Sequence, residues 1–409
     1  MRQNIICGLD IGHFKICATC GELRPSGKIE ILGHQAVPAQ GLTSGKITDN
    51  KSLTACLREL CLKLRQDSGL KIRRVYANID HPDLKTNIFR EELLFQKKTL
   101  IGKAHINRLV NSGISSNLSL ERRVIHVGLK EFLLDNQIKT TDPRGRSARE
   151  LRLELLIISL PIPTLNSLIK CLSGAGLILQ DIVPSGYAQL LGLSEAPGPG
   201  GSGREILLDI GGGLIKINLF QDGWPKQIII LPEGMQKISR DVAKKLKVSV
   251  ESAEDLKTRY GRVLAQQESI NQPLIVKDRQ QSKVISRQEL CEIITAGVNH
   301  LLGQISRALT ELDCDLTEIP EIIVTGGGAY LEGFLERAED VLSKKLKLGF
   351  LHAVLDSQIQ AQSALYATSI GLINFALQGK DGKAFSPALR FGCLARVGEQ
   401  VRKLYSEYF

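Results

Sequence analysis

Short apolar runs that stop at glycine set the pattern of this chain. Ile5-Ile6-Cys7-Gly8-Leu9 runs into Asp10-Ile11-Gly12, and Ile206-Leu207-Leu208 into Asp209-Ile210-Gly211-Gly212-Gly213. Ile322-Ile323-Val324 runs into Thr325-Gly326-Gly327-Gly328. Such a run closed by glycines predicts a buried strand entering a tight turn. Further strands are expected at 15–22, 28–37 and 73–79, and a helix at 51–67 with Leu53, Cys56, Leu57, Leu60 and Leu64 on one face. Residues 82–160 read as a separate unit: a strand, a helix around His105–Ser112, and strands at 123–134 and 150–159. A helix at 163–174 and a strand at 177–183 follow. The Pro/Gly-rich segment 195–204 reads as a linker. After it the opening pattern recurs weakly: strand, glycine turn, strands 215–220 and 226–231, helix 234–247. Helices are then expected at 249–260, 286–311 and 331–345, and a terminal amphipathic helix at 387–409 after the polar linker Gly379–Lys383.

At 409 residues the chain is long enough for two or more domains with proper cores. A hydrophobic share of 43% with 23% charged residues fits a folded protein. The formal net charge of +10 favours an acidic partner or serves solubility alone. Aromatic residues are 5% of the chain and form no basic-aromatic platform, which argues against nucleic-acid binding. Nine scattered cysteines, mostly inside apolar runs, read as reduced thiols rather than a disulfide framework. Cys17 and Cys20 fall in a predicted strand, where an offset of three puts them on opposite faces. The opening Met1-Arg2-Gln3-Asn4 predicts no signal peptide. No uncharged apolar stretch reaches the roughly 18 residues of a membrane span.

Glycine lets backbone N–H groups close around a phosphate chain with no side chain in the way. A carboxylate at the strand end suits a metal ion that bridges phosphates, directly or through water. Two such turns far apart suggest two half-sites closing on one nucleotide, with the third at its base and ribose end. Neither a P-loop nor a Rossmann fingerprint is present.

These motifs resemble the actin/Hsp70/sugar-kinase superfamily and, within it, the FtsA family of bacterial cell-division proteins. Ile6–Gly12 looks like a first phosphate loop, Leu208–Gly213 a second, and Ile323–Ala329 an adenosine motif. Ala253–Gly261 is similar to a helix at the nucleotide edge. Asp142-Pro143-Arg144-Gly145 with Leu151–Glu154 resembles the small domain that this family inserts, and Tyr366–Leu372 also matches. The resemblance implies an α/β, actin-like two-lobed fold of duplicated ribonuclease-H-like domains. An inserted small α+β domain and a C-terminal amphipathic helix complete it. The implied division is 1–81 and 161–203 for the first lobe with its linker, 82–160 for the insert and 204–361 for the second lobe. A return helix at 362–378, a linker at 379–386 and the terminal helix at 387–409 follow. It implies ATP with magnesium: Gly12, His13, Lys15, Gly211, Gly212, Gly213, Glu254, Lys257, Gly326, Gly327 and Gly328 at the nucleotide, Asp10 and Asp209 at the metal. It implies FtsZ, further copies of the chain and other division proteins as partners, and a place on the cytoplasmic face of the inner membrane at the division site. The alternatives are a type IV pilus assembly protein and a small-molecule kinase of the same superfamily.

The chain departs from the family pattern at two places. His13 replaces a small hydroxyl residue; it either donates to phosphate or is a plain loop histidine. Leu214-Ile215-Lys216 replaces Thr-Thr-Asp. Lysine is a poor base, so it either neutralises phosphate charge or points to solvent, and slow or absent hydrolysis is expected. Glu254 and Lys257 share a helix face at i and i+3, which by itself is an ordinary solvated pair. In the terminal helix, Leu394, Val397, Val401, Leu404, Tyr405 and Tyr408 form one stripe with Phe391 and Phe409 at its edge. Arg390, Arg396, Arg402 and Lys403 outnumber Glu399 and Glu407. Such a helix can lie in an anionic lipid interface or dock on protein.

Overall fold

Two five-stranded sheets of matching topology carry the fold. The structure, a computed structural model, describes residues 5–380 apart from 118, 141, 194–202, 265–272, 279–280, 353, 357–358 and 361. The terminal helix expected at 387–409 and most of the predicted linker at 195–204 lie outside the described residues.

The chain opens with strands β1 (Ile6–Ile11), β2 (Lys15–Leu23) and β3 (Ile29–Pro38), and the two-residue strands β4 (Leu42–Thr43) and β5 (Lys46–Ile47). Helix α1 (Asn50–Ser68) and β6 (Arg74–Ile79) follow. Next come β7 (Lys85–Leu100), α2 (Lys103–Asn117), β8 (Arg122–Leu134), β9 (Ile138–Thr140) and β10 (Ser147–Pro161). Helix α3 (Ile162–Gly174), β11 (Ile178–Pro184) and α4 (Ser185–Leu193) return to the first sheet. The second half holds β12 (Arg204–Ile210), β13 (Ile215–Gln221), β14 (Trp224–Leu231), α5 (Met235–Leu246) and α6 (Val250–Tyr260). It continues through β15 (Pro273–Asp278), β16 (Gln281–Ser286), α7 (Arg287–Thr310), β17 (Glu321–Thr325), α8 (Phe334–Leu342) and β18 (Lys345–Leu348). Helix α9 (Ser363–Lys380) closes the described chain.

The first sheet runs β11-β6-β1-β2-β3 and the second β18-β17-β12-β13-β14. Each joins a parallel half to an antiparallel half through the strand that carries the aspartate. Strands β7, β10, β8 and β9 form a separate antiparallel sheet. With α2 that sheet closes on a core of its own, including Leu109, Phe132 and Leu155. The face predicted for α1 is the buried one: Leu53, Cys56, Leu57, Leu60 and Leu64. Asp49 caps its first N–H groups and Gly69, at φ 71°, ends it in the left-handed conformation. Helices α4 and α9 cross so closely that a side chain on Gly371 would sit 1.6 Å from the Ala188 carbonyl oxygen. They bring the two sheets to a shared cluster that includes Ile6, Leu207 and Ile370.

Two expectations change. Cys7 and Cys20 pair across β1 and β2 and are joined in a disulfide, where free thiols were expected. Cys17, on the other face of β2, is a buried free thiol. The predicted helix 331–345 is shorter, because Lys345–Leu348 leaves it to become an edge strand beside β17. The hairpin β15–β16 and helix α4 also go beyond the sequence reading.

Candidate functional site

The two aspartate-bearing hairpins are built alike. Ile11 pairs with Ile16 and Ile210 with Ile215, leaving four-residue turns. The Gly12 N–H donates to the Lys15 carbonyl at 3.0 Å, and the Gly211 N–H to the Leu214 carbonyl at 3.0 Å. The turns interlock. A side chain on Gly213 would lie 2.8 Å from His13 Cβ, and one on Gly212 3.1 Å from Phe14 Cβ. Glycine in the second turn therefore makes room for the side chains of the first. The N-terminus of α5 is tied to the second turn, Met235 N–H to Gly211 O at 3.0 Å and Gln236 N–H to Gly212 O at 2.8 Å. The third turn comes in from β17. Gly326 has φ 87°, and a side chain there would meet Asp209 Oδ1 at 2.3 Å.

Between these elements lies a cleft of about 760 Å³. All of Asp10, Gly12, His13, Lys15, Asp209, Gly211, Gly212, Gly213, Glu254, Lys257, Gly326, Gly327 and Gly328 line it. Asp80, Gln189 and Lys216 line it too. The sequence reading left out Asp80, yet it ends an apolar strand just as Asp10 and Asp209 do, and that signal would have found it.

Lys216 neither points to solvent nor stands free for phosphate. Its side chain is buried on the cleft floor, with Nζ 2.7 Å from Asp209 Oδ2 and 2.8 Å from Asp80 Oδ2. Ser185 Oγ is 3.0 Å from the same ammonium and donates its own proton to Asp80 Oδ1 at 2.5 Å. Gln189 donates to Asp209 Oδ2 at 2.6 Å. Burial alone would discharge Lys216, but Asp209 and Asp80 outweigh it and hold the ammonium above its ordinary range. Asp10 accepts from Asn78 Nδ2 at 2.7 Å, and Asn78 Oδ1 in turn accepts from the Ile11 N–H at 2.6 Å. Burial raises the Asp10 pKa to about 6, against the pull of Lys15 and Lys216.

His13 accepts the Gly45 N–H at Nε2, and burial lowers its pKa to about 4. It is a neutral ring whose acceptor nitrogen is occupied, leaving Nδ1–H as its donor. Lys15 donates to the Leu365 carbonyl, and its ammonium sits 5.8 Å from the centre of the Tyr366 ring. Lys257 is 2.8 Å from Glu254 Oε2 and donates to Ser239 Oγ at 2.9 Å and Met235 O at 3.3 Å. This pair is a buried tie between α5 and α6 rather than a solvated surface bridge; burial lowers the Lys257 pKa while Glu254 raises it. Among the described residues, no group of three or more His, Cys, Asp or Glu side chains is arranged to hold a metal ion.

Comparison with known proteins bears on the fold as a whole. The model of the family described as cell division protein FtsA matches residues 206–371, and that of the SHS2 domain inserted in FtsA matches residues 84–159. Together they cover more than half of the chain. A cell division protein FtsA from Pseudomonas aeruginosa is 25% identical over 391 residues, covering 93% of this chain and 92% of that one. Among solved structures, a PilM–PilN type IV pilus biogenesis complex superposes with a TM-score of 0.64 at 16% identity, over 91% of this chain and 98% of that one. MreB5 of Spiroplasma citri bound to ADP superposes with a TM-score of 0.54 at 12% identity, over 93% and 98%. At these identities the structures speak for the fold alone, and it is actin-like.

Proposed function

The chain belongs to the FtsA family of cell-division proteins, and from that premise we propose that it binds ATP, polymerises, and ties FtsZ to the inner face of the cytoplasmic membrane with little or no ATP hydrolysis. The observation that carries the nucleotide reading is the meeting of three glycine turns and the Glu254–Lys257 pair around one cleft. The solved MreB5 neighbour was bound to ADP, which supports a nucleotide as the occupant. Two features support weak chemistry. Lys216 stands where the family resemblance puts a carboxylate, and His13 has its acceptor nitrogen on Gly45. Neither can take a proton from water.

Magnesium at Asp10 and Asp209 does not fit this donor set. The oxygens of Asp209 and Asp80 that face each other are closed on an ammonium, and a dication bound there would be pressed against it. Asp10 alone of the three carboxylates has no ion pair with Lys216 among the described residues.

Membrane attachment rests on the apolar stripe of 387–409 and its basic excess. Flotation of the full chain with anionic vesicles, with and without ATP and FtsZ, tests the reading. FtsZ is expected to float with the vesicles only when the protein is present, and removal of 387–409 should leave both in the soluble fraction. Flotation unchanged by that deletion would refute the anchor, and FtsZ left behind by vesicle-bound protein would refute the tether.

A further inference from the structure

We propose that Lys216 is a built-in counter-ion that replaces the divalent metal at the cleft floor, so that this protein binds and closes on its nucleotide without magnesium. This rests on the reading of the cleft as an ATP site. Three strands, β1, β6 and β12, each deliver an aspartate to the same floor. Uncompensated, that cluster would repel a triphosphate, and ordinarily a dication would relieve it. Here Lys216 reaches across from β13 as the paired residue of Asp209.

The contacts of Lys216 are complete. An ammonium has three N–H donors, and three acceptors surround this one: Asp209 Oδ2 at 2.7 Å, Asp80 Oδ2 at 2.8 Å and Ser185 Oγ at 3.0 Å. The proton of Ser185 goes to Asp80 and the amide of Gln189 to Asp209, so these two acids are also bonded by neutral donors. The side chains of Lys216, Asp80 and Asp209 are 11%, 9% and 5% exposed, so the ion pairs are largely shielded from water.

The ammonium also spans the molecule. Lys216 and Asp209 belong to the second sheet, whereas Asp80 follows β6 of the first, and Ser185 and Gln189 sit on α4. One side chain therefore joins the two walls of the cleft. The fold does not dictate a lysine there. The matching position of the first hairpin, paired with Asp10, is Cys17, a buried thiol 3.9 Å from Ser369 Oγ.

The test is equilibrium binding of a fluorescent ATP analogue to the full-length protein, in excess magnesium and in EDTA. For the natural protein the two dissociation constants should agree within about threefold. Lys216→Met keeps the aliphatic stem and removes the charge; its affinity in EDTA should fall about tenfold or more below its affinity in magnesium. If that variant does not fold, the double variant D80N/K216M removes one carboxylate along with the cation and should show the same metal dependence. Magnesium-dependent binding by the natural protein would overturn the proposal while leaving the ATP site standing. Absence of binding in both buffers would overturn the ATP reading and the proposal together. A Lys216→Met or double variant that stays indifferent to magnesium would also overturn it.

Discussion

The β1–β2 and β12–β13 hairpins share a register, a four-residue turn and a strand-end aspartate, yet they do different work. The first turn carries His13 and Phe14, and the second carries Gly212 and Gly213. Side chains of one fit the gap left by the other. Below the turns the difference grows. Asp10 is paired with Cys17 and held by a neutral amide, whereas Asp209 is paired with Lys216 and held by a full charge. A duplicated framework thus fixes where the backbone goes and leaves the electrostatics of each half to single residues. In the second half that freedom went into an internal cation, which also draws the two sheets together.

Replacing those paired residues should separate the two hairpins most sharply. Lys216→Met leaves Asp80 and Asp209 buried without their counter-charge, at a cost of about 3–5 kcal/mol. Cys17→Ala removes one buried sulfur and should cost about 1–2 kcal/mol. Urea unfolding followed by circular dichroism measures both. Equal losses would show that Lys216 serves as packing and not as charge.

The site was legible in the sequence where it rests on strand-then-glycine patterns, and illegible where it rests on contacts between distant segments. The three turns, both strand-end aspartates and the i,i+3 spacing of Glu254 and Lys257 follow from local pattern. Asp80 lies 136 positions from Lys216, and nothing local joins them. Helix α4, which supplies Ser185 and Gln189, is buried along its whole length and so shows no amphipathic period. The edge strand β18 alternates Lys-Leu-Lys-Leu directly after a helix and reads as its continuation until the parallel pairing with β17 is seen. The disulfide of Cys7 with Cys20 depends on the register of β1 and β2, which cysteine spacing does not reveal.

Acid acts on the first hairpin through two opposing titrations. Burial lowers the His13 pKa to about 4, whereas the unfolded chain protonates a histidine near 6.5. Between those values the unfolded state binds the extra proton, so stability is full above about 6.5 and falls as the pH drops towards 4. His126, also buried and lowered to about 4, adds a loss of the same sign. Asp10, raised to about 6, acts in the opposite sense between its unfolded value and 6. His13→Gly gives the first turn the residue that Gly212 supplies in the second. It should remove about 2 kcal/mol of the acid-induced loss, read as a flatter plot of unfolding free energy against pH. A plot parallel to that of the natural protein would place the histidine in solvent.

The interlocking of the turns predicts the smallest effect. Gly213→Ala puts a methyl group 2.8 Å from the His13 side chain at a position with ordinary backbone angles. The turns must part by a few tenths of an ångström, at a cost near 1 kcal/mol in stability. Since the same turns line the cleft, nucleotide affinity should fall more than stability does. Combining the change with His13→Gly removes the obstructing ring, so the double variant should recover stability relative to the sum of the single losses. Strict additivity would mean that the two turns do not touch in solution, and the room that glycine leaves in the second turn would then need another explanation.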